Sequence, residues 1–106
     1  MTQLENGRAE DWLLELAQRH RLSPTQRQIV QRMLGMFPAV AFLSSVEIAE
    51  QTGVSQPTVT RLATALGFAG FPEFRVAMRD AVAARDQQRT QQRLEAHEAL
   101  VDRWIH

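Results

Sequence analysis

Apolar residues along this chain recur at helical spacing, in short blocks separated by capping and turn residues. Over residues 9–20, Trp12, Leu13, Leu16 and Ala17 fall on one stripe, as in a helix with a buried face. Ser23-Pro24-Thr25-Gln26 opens a second helix: Ser23 can cap it, Pro24 suits its first position, and Gln26 completes a capping box. Ile29, Val30, Met33, Leu34 and Phe37 form its apolar face. Pro38 stops it, because proline disfavours helix in the residue before it. The apolar run Ala39 to Leu43 is too short to stand alone and reads as one or two helical turns packed into the core. Ser44 and Ser45 then offer caps for a helix carrying Val46, Ile48, Ala49 and Thr52. Gly53 ends that helix in the left-handed conformation that glycine adopts cheaply.

Ser55 caps the next helix, and Pro57 in its first turn removes no hydrogen bond that would otherwise form. Val59, Leu62, Ala63 and Leu66 give it an i, i+3, i+4, i+7 apolar set, and Gly67 and Gly70 punctuate its exit. Phe71-Pro72-Glu73-Phe74 starts a last long helix, with Phe74, Ala77, Met78, Ala81 and Val82 on its packed face. From Arg85 to Arg93 the chain is polar, and Leu94, His97, Val101, Trp104 and Ile105 restore a stripe at the end. No strand signal appears. The expected fold is all-α: a five-helix, bundle-like domain over residues 1–84 that contains a helix-turn-helix, followed by a helical extension over 85–106.

The helix-turn-helix expectation rests on a joint spacing. Ala49 is small where the second helix crosses the first. Gly53, four residues on, tolerates positive φ in the tight turn. Val54 points inward, and Val59 and Leu62 anchor the second helix on Ile48 and Ala49. A second helix lying in the major groove of double-stranded DNA would face the bases with Gln56, Pro57, Thr58, Thr60, Arg61 and Thr64. Arg61 can fork onto guanine O6 and N7, and Gln56 onto adenine N6 and N7. The threonines can reach phosphate or a thymine methyl. Ser44, Ser45 and Ser55 sit at helix starts, where hydroxyls and backbone N–H groups favour phosphate. The alternative for this face is an ordinary solvated helix surface. Against it stand its Thr, Gln and Arg content and the absence of any acidic residue between Glu50 and Glu73.

Charge sharpens this picture only locally. The chain has 106 residues with 12 basic and 12 acidic side chains, so its net charge is zero and favours no nucleic acid as a whole. Every basic residue is Arg, as a GC-rich genome would produce. Residues 1–15 are acidic on balance. Residues 16–80 hold seven Arg against Glu47, Glu50, Glu73 and Asp80, so the positive charge sits with the motif. Cysteine is absent, which removes disulfides, thiolate zinc sites and thiol catalysis. With no apolar run of the roughly 20 residues that a membrane helix needs, and no signal-like start, the chain reads as soluble and cytoplasmic.

Catalysis has little to stand on. His20, His97 and His106 have no nucleophile nearby in sequence, and there is no glycine-rich phosphate loop. Glu98, Asp102 and His106 share a helical spacing that is common by chance, so no metal site, no cofactor and no enzyme activity is expected.

On the residues quoted above the chain resembles the N-terminal domain of RpiR-type regulators, bacterial regulators of sugar metabolism. The likeness runs from about Leu22 to Val82. It is carried by Leu22 to Ile29, Ala41-Phe42-Leu43-Ser44, Ile48-Ala49 with Gly53-Val54-Ser55, and Thr58-Val59-Thr60-Arg61-Leu62. It continues through Leu66-Gly67-Phe68-Ala69-Gly70-Phe71, the most diagnostic step, and Phe74-Arg75. The resemblance implies a five-helix DNA-binding domain that works as a homodimer or higher oligomer. It also implies a C-terminal phosphosugar-binding (SIS) domain, which this sequence does not contain. A phosphosugar effector is therefore expected only if the natural protein has that sensor. The chain reads as an excised fragment, since Leu94 to Ile105 looks like a helix interrupted before its partner arrives. Where many relatives carry basic residues after the matched Arg61, this chain has Ala63, Thr64 and Ala65. Affinity is expected to lean on Arg61, Arg75, Arg79 and the cluster from Arg19 to Arg32 instead.

A segment of about a dozen residues is marginal as an isolated helix, so Leu94 to Ile105 needs a partner surface. The Trp12, Leu13 and Leu16 stripe is the nearest candidate, from the same chain or from a second copy in a homodimer. The rival to DNA binding is a helical protein-interaction or assembly module, supported by the neutral charge and the two amphipathic ends.

Overall fold

A computed structural model describes residues 8–85. It is all-helical there. Helix α1 spans Glu10–Gln18, α2 Pro24–Leu34, a 3-10 turn Ala39–Phe42, α3 Ser45–Thr52 and α4 Gln56–Ala65. A last helix, α5, is described over 71–85. The expected five-helix domain is present; the expected polar extension and end stripe lie outside the described residues.

Helices α2, α3 and α4 each start where the sequence supplies a serine cap. Ser23 Oγ accepts from the Gln26 N–H at 3.1 Å, and Gln26 Oε1 accepts from the Ser23 N–H at 2.9 Å, which closes the capping box of α2. Ser44 and Glu47 close a second capping box at α3, and Ser55 caps α4 by accepting the Thr58 N–H. One core collects the apolar faces. Leu13 and Leu16 of α1, Ile29, Val30 and Met33 of α2, Val40 and Ala41 of the turn, Ile48 and Ala49 of α3, and Val59, Leu62 and Ala63 of α4 are all buried in it. Phe71, Phe74, Met78 and Val82 of α5 complete it.

Three expectations are corrected. Helix α2 ends at Leu34, not Phe37: Gly35 caps it and residues 35–38 form turns, so Phe37 reaches the core from a loop. Glycine costs about 1 kcal/mol in a helix, and Pro38 bars the helical region to Phe37, so the last apolar residue falls outside. Val46, grouped with Ile48 and Ala49, is 48% exposed, because it stands about 200° of helical rotation from Ile48. Trp12 does not await a partner. Its ring lies 6.1 Å from Phe74 and 6.5 Å from Phe68, and Leu13 is fully buried, so the α1 stripe is covered by α5 and the α4–α5 link.

The α3–α4 turn is set by Gly53, whose φ is +76°. Its N–H and that of Val54 both bond to the Ala49 carbonyl, at 2.9 and 3.0 Å. Arg32 Nη1 reaches across from α2 to the Thr52 carbonyl at 2.7 Å, placing a cation at the C-terminal end of α3. A Cβ at residue 53 would meet only Arg32 Nη1, at 3.7 Å, so space is available and the backbone conformation alone selects glycine. Gly53→Val should therefore lower stability by more than about 1 kcal/mol, and Gly53→Asn by much less, since asparagine tolerates the left-handed region. Thermal melting of both variants checks this. Equal melting temperatures for wild type and Gly53→Val would remove the turn assignment.

Candidate nucleic-acid interface

Helix α4 rests on α3 through Val59, Leu62 and Ala63, all buried against Ile48 and Ala49. Burying positions i, i+3 and i+4 turns the opposite side of the helix outward. That side carries Pro57, Arg61 and Thr64, all exposed, with Thr58 and Thr60 half-buried at its margins, while Gln56, three residues before Val59, falls on the seated side and is exposed as the first residue of the helix. Arg61 makes no hydrogen bond or ion pair among the described residues. No acidic residue lies between Glu50 and Glu73, so α4 itself carries none.

The hairpin brings the N-termini of α3 and α4 together. Gln56 Nε2 donates to Ser45 Oγ at 2.9 Å, joining the first residues of the two helices. Ser44, Ser45, Ser55 and Gln56 thus cluster at one end of the motif. There, the first N–H groups of each helix have no intrahelical carbonyl to bond.

Several hydroxyls expected to face DNA already have work inside the fold. Ser44 Oγ accepts from the Glu47 N–H at 3.1 Å. Ser55 Oγ takes the Thr58 N–H at 3.3 Å and lies 2.8 Å from Thr58 Oγ1. Thr64 Oγ1 donates to the Thr60 carbonyl at 3.2 Å, back onto its own helix. Three arginines are likewise engaged. Arg32 holds the Thr52 carbonyl, Arg75 Nη2 donates to the Phe42 carbonyl at 3.3 Å, and Arg79 Nε donates to the Ala41 carbonyl at 3.1 Å. The Arg79 guanidinium also sits over the Phe42 ring, 5.4 Å from its centroid. The Arg75 and Arg79 contacts brace the 3-10 turn against α5, the Arg32 contact ties α2 to α3, and Arg61 is left as the unengaged cation of the α4 face.

Over residues 13–85 the chain matches the model of the rpiR-family helix-turn-helix domain. The chain belongs to that family. The match runs from α1 to the end of the described α5. It is also 32% identical over 76 residues to YfhH of Escherichia coli (strain K12), an uncharacterized HTH-type transcriptional regulator. That alignment covers 71% of this chain and 27% of the relative, so the rpiR-family segment spans about a quarter of that protein's length. No solved structure matches the chain.

One residue of the interface is missing from the sequence reading. Glu47 Oε1 accepts from the Ser44 N–H at 2.8 Å, so a carboxylate occupies the N-terminus of α3. Its signal was present: Ser44 and Glu47 have the same spacing as Ser23 and Gln26. The Ser44 backbone N–H first, then the Ser44 side chain and the nearby Arg75 charge, hold the Glu47 pKa below its ordinary value of 4.5. A carboxyl group lowered on folding stabilises the fold above its unfolded pKa and loses that effect as pH falls through the folded one. Glu47→Gln keeps an acceptor for Ser44 and removes the charge. Wild type should melt higher than this variant at neutral pH, with the gap constant down to about pH 4.5 and closing below it. A gap that stays constant to about pH 2 would show that the charge on Glu47 contributes nothing.

Proposed function

We propose that this chain binds double-stranded DNA sequence-specifically, with α4 in the major groove, as a bacterial transcriptional regulator of sugar metabolism. The observation that carries this reading is the outward face of α4. It is exposed, free of acid and carries Pro57, Arg61 and Thr64, while its opposite side is seated on α3 and Gln56 stands exposed at the start of the helix. A helix presented this way can enter the groove without moving any core residue.

In this reading Gln56, Arg61 and Thr64 meet base edges, with Pro57, Thr58 and Thr60 beside them. Ser44, Ser45 and Ser55 lie along the phosphates at the start of α3 and α4. Because Ser44, Ser55 and Thr58 also cap helices, their contribution to phosphate runs through the hydrogens and lone pairs that capping leaves over. The working form is a homodimer in the cytoplasm, reading two half-sites about one helical turn apart. A phosphosugar effector belongs to the reading only through a sensor domain elsewhere in the natural protein.

A gel shift with random duplex and with a sequence selected from a random library separates this function from a helical assembly module, which would shift neither. Within it, Arg61→Ala should cost about 1–3 kcal/mol on the selected sequence while leaving random-duplex binding and the melting temperature nearly unchanged. Equal losses on both duplexes would make Arg61 a phosphate contact and remove it from base readout.

A further inference from the structure

Each helix of the motif begins with a residue whose side chain its own helix does not use. The N-terminus of α3 is closed by Ser44 and Glu47, and that of α4 by Ser55, whose Oγ takes the Thr58 N–H. Ser45 and Gln56, the first residues of α3 and α4, have no capping role. They meet across the motif instead, through the bond of 2.9 Å between Gln56 Nε2 and Ser45 Oγ.

That bond bears on what Gln56 can present to DNA. A primary amide carries two hydrogens on nitrogen, one on the side of its oxygen and one opposite. Only the same-side edge, with Oε1 accepting and one Nε2–H donating, matches the N6–H donor and N7 acceptor of adenine together. A bond to Ser45 through the far-side hydrogen would leave that edge complete, and the bond through either hydrogen restricts the side-chain rotation that binding would otherwise have to freeze. Ser45 Oγ is the acceptor in this bond, so its own hydrogen remains available. The residue is half-exposed at a helix start, where a backbone phosphate is the matching acceptor.

We infer that Ser45 is a positioning residue that orients Gln56 for adenine and links that readout to a phosphate of the same duplex. This rests on α4 lying in the major groove. The experiment uses the full 106-residue chain and its Gln56→Ala, Ser45→Ala and Ser45→Thr variants. Each is put through selection from a random duplex library, followed by anisotropy titrations of duplexes changed at one base pair. Wild type should select adenine at a base pair whose preference Gln56→Ala abolishes. Ser45→Ala should weaken the preference at that same pair by about fivefold or more, while Ser45→Thr, which keeps the hydroxyl, retains it. Because neither side chain caps a helix, all variants should melt with wild type, which separates positioning from stability.

Several results would overturn the inference: Ser45→Ala keeping full adenine preference, Ser45→Thr failing as Ala does, or a base other than adenine at the Gln56-dependent pair. Uniform weakening across all duplexes by Ser45→Ala would make Ser45 a phosphate contact alone, which also overturns it. A wild-type chain that selects no sequence would instead remove the major-groove reading, and the role of Ser45 with it.

Discussion

The orientation of α4 depends on one backbone conformation, the left-handed φ of +76° at Gly53. Three residues, Gly53 to Ser55, reverse the chain between two helices that must then pack closely. The reversal closes because the Ala49 carbonyl accepts both the Gly53 and the Val54 N–H. It packs because the Ala49 side chain is small enough for α4 to lie across it. Arg32 fastens the same end from α2 by its bond to the Thr52 carbonyl. With that turn in place, the buried positions Val59, Leu62 and Ala63 dictate which side of α4 faces outward, and the two N-termini come within reach of the Ser45–Gln56 bond.

Local chemistry made most of this legible in the sequence. Serines at 23, 44 and 55 announce helix starts because their hydroxyls replace missing backbone partners, and the structure has each one accepting the expected N–H. Apolar spacing located the core for the same reason: helical rotation places i, i+3 and i+4 together whatever the neighbours are. Long-range contacts were not legible. Nothing local says that Arg75 and Arg79 on α5 will reach carbonyls of the turn at Ala41 and Phe42, more than thirty residues earlier. Nor does the Trp12 stripe reveal that Phe68 and Phe74 will cover it. Val46 was misplaced because an eight-residue helix has too few apolar positions to define its face by periodicity alone. For the site, the outward face of α4 followed from the apolar stripe opposite it. The side-chain bond between Ser55 and Thr58 and the bond of Thr64 to the Thr60 carbonyl had no such local signal.

The electrostatics of this domain suit recognition by contact better than by bulk attraction. The whole chain is neutral, and Arg32, Arg75 and Arg79 serve as internal braces. A carboxylate at the start of α3 is held ionised by Ser44 and Arg75, beside the surface where phosphate is expected. With few unengaged cations near α4, release of counterions would contribute modestly under the proposed docking, and base-edge contacts from Gln56 and Arg61 would carry a larger share.

Backbone amide shifts of the isotope-labelled chain, followed while a selected duplex is titrated in, test the docking most directly. Binding through α4 predicts that the large shifts fall on residues 44–47 and 55–64, where the two helix starts and the exposed face meet DNA. Shifts centred instead on Leu14, Ala17 and Leu34, between α1 and α2, with the amides of Gln56 and Arg61 unmoved, would contradict it.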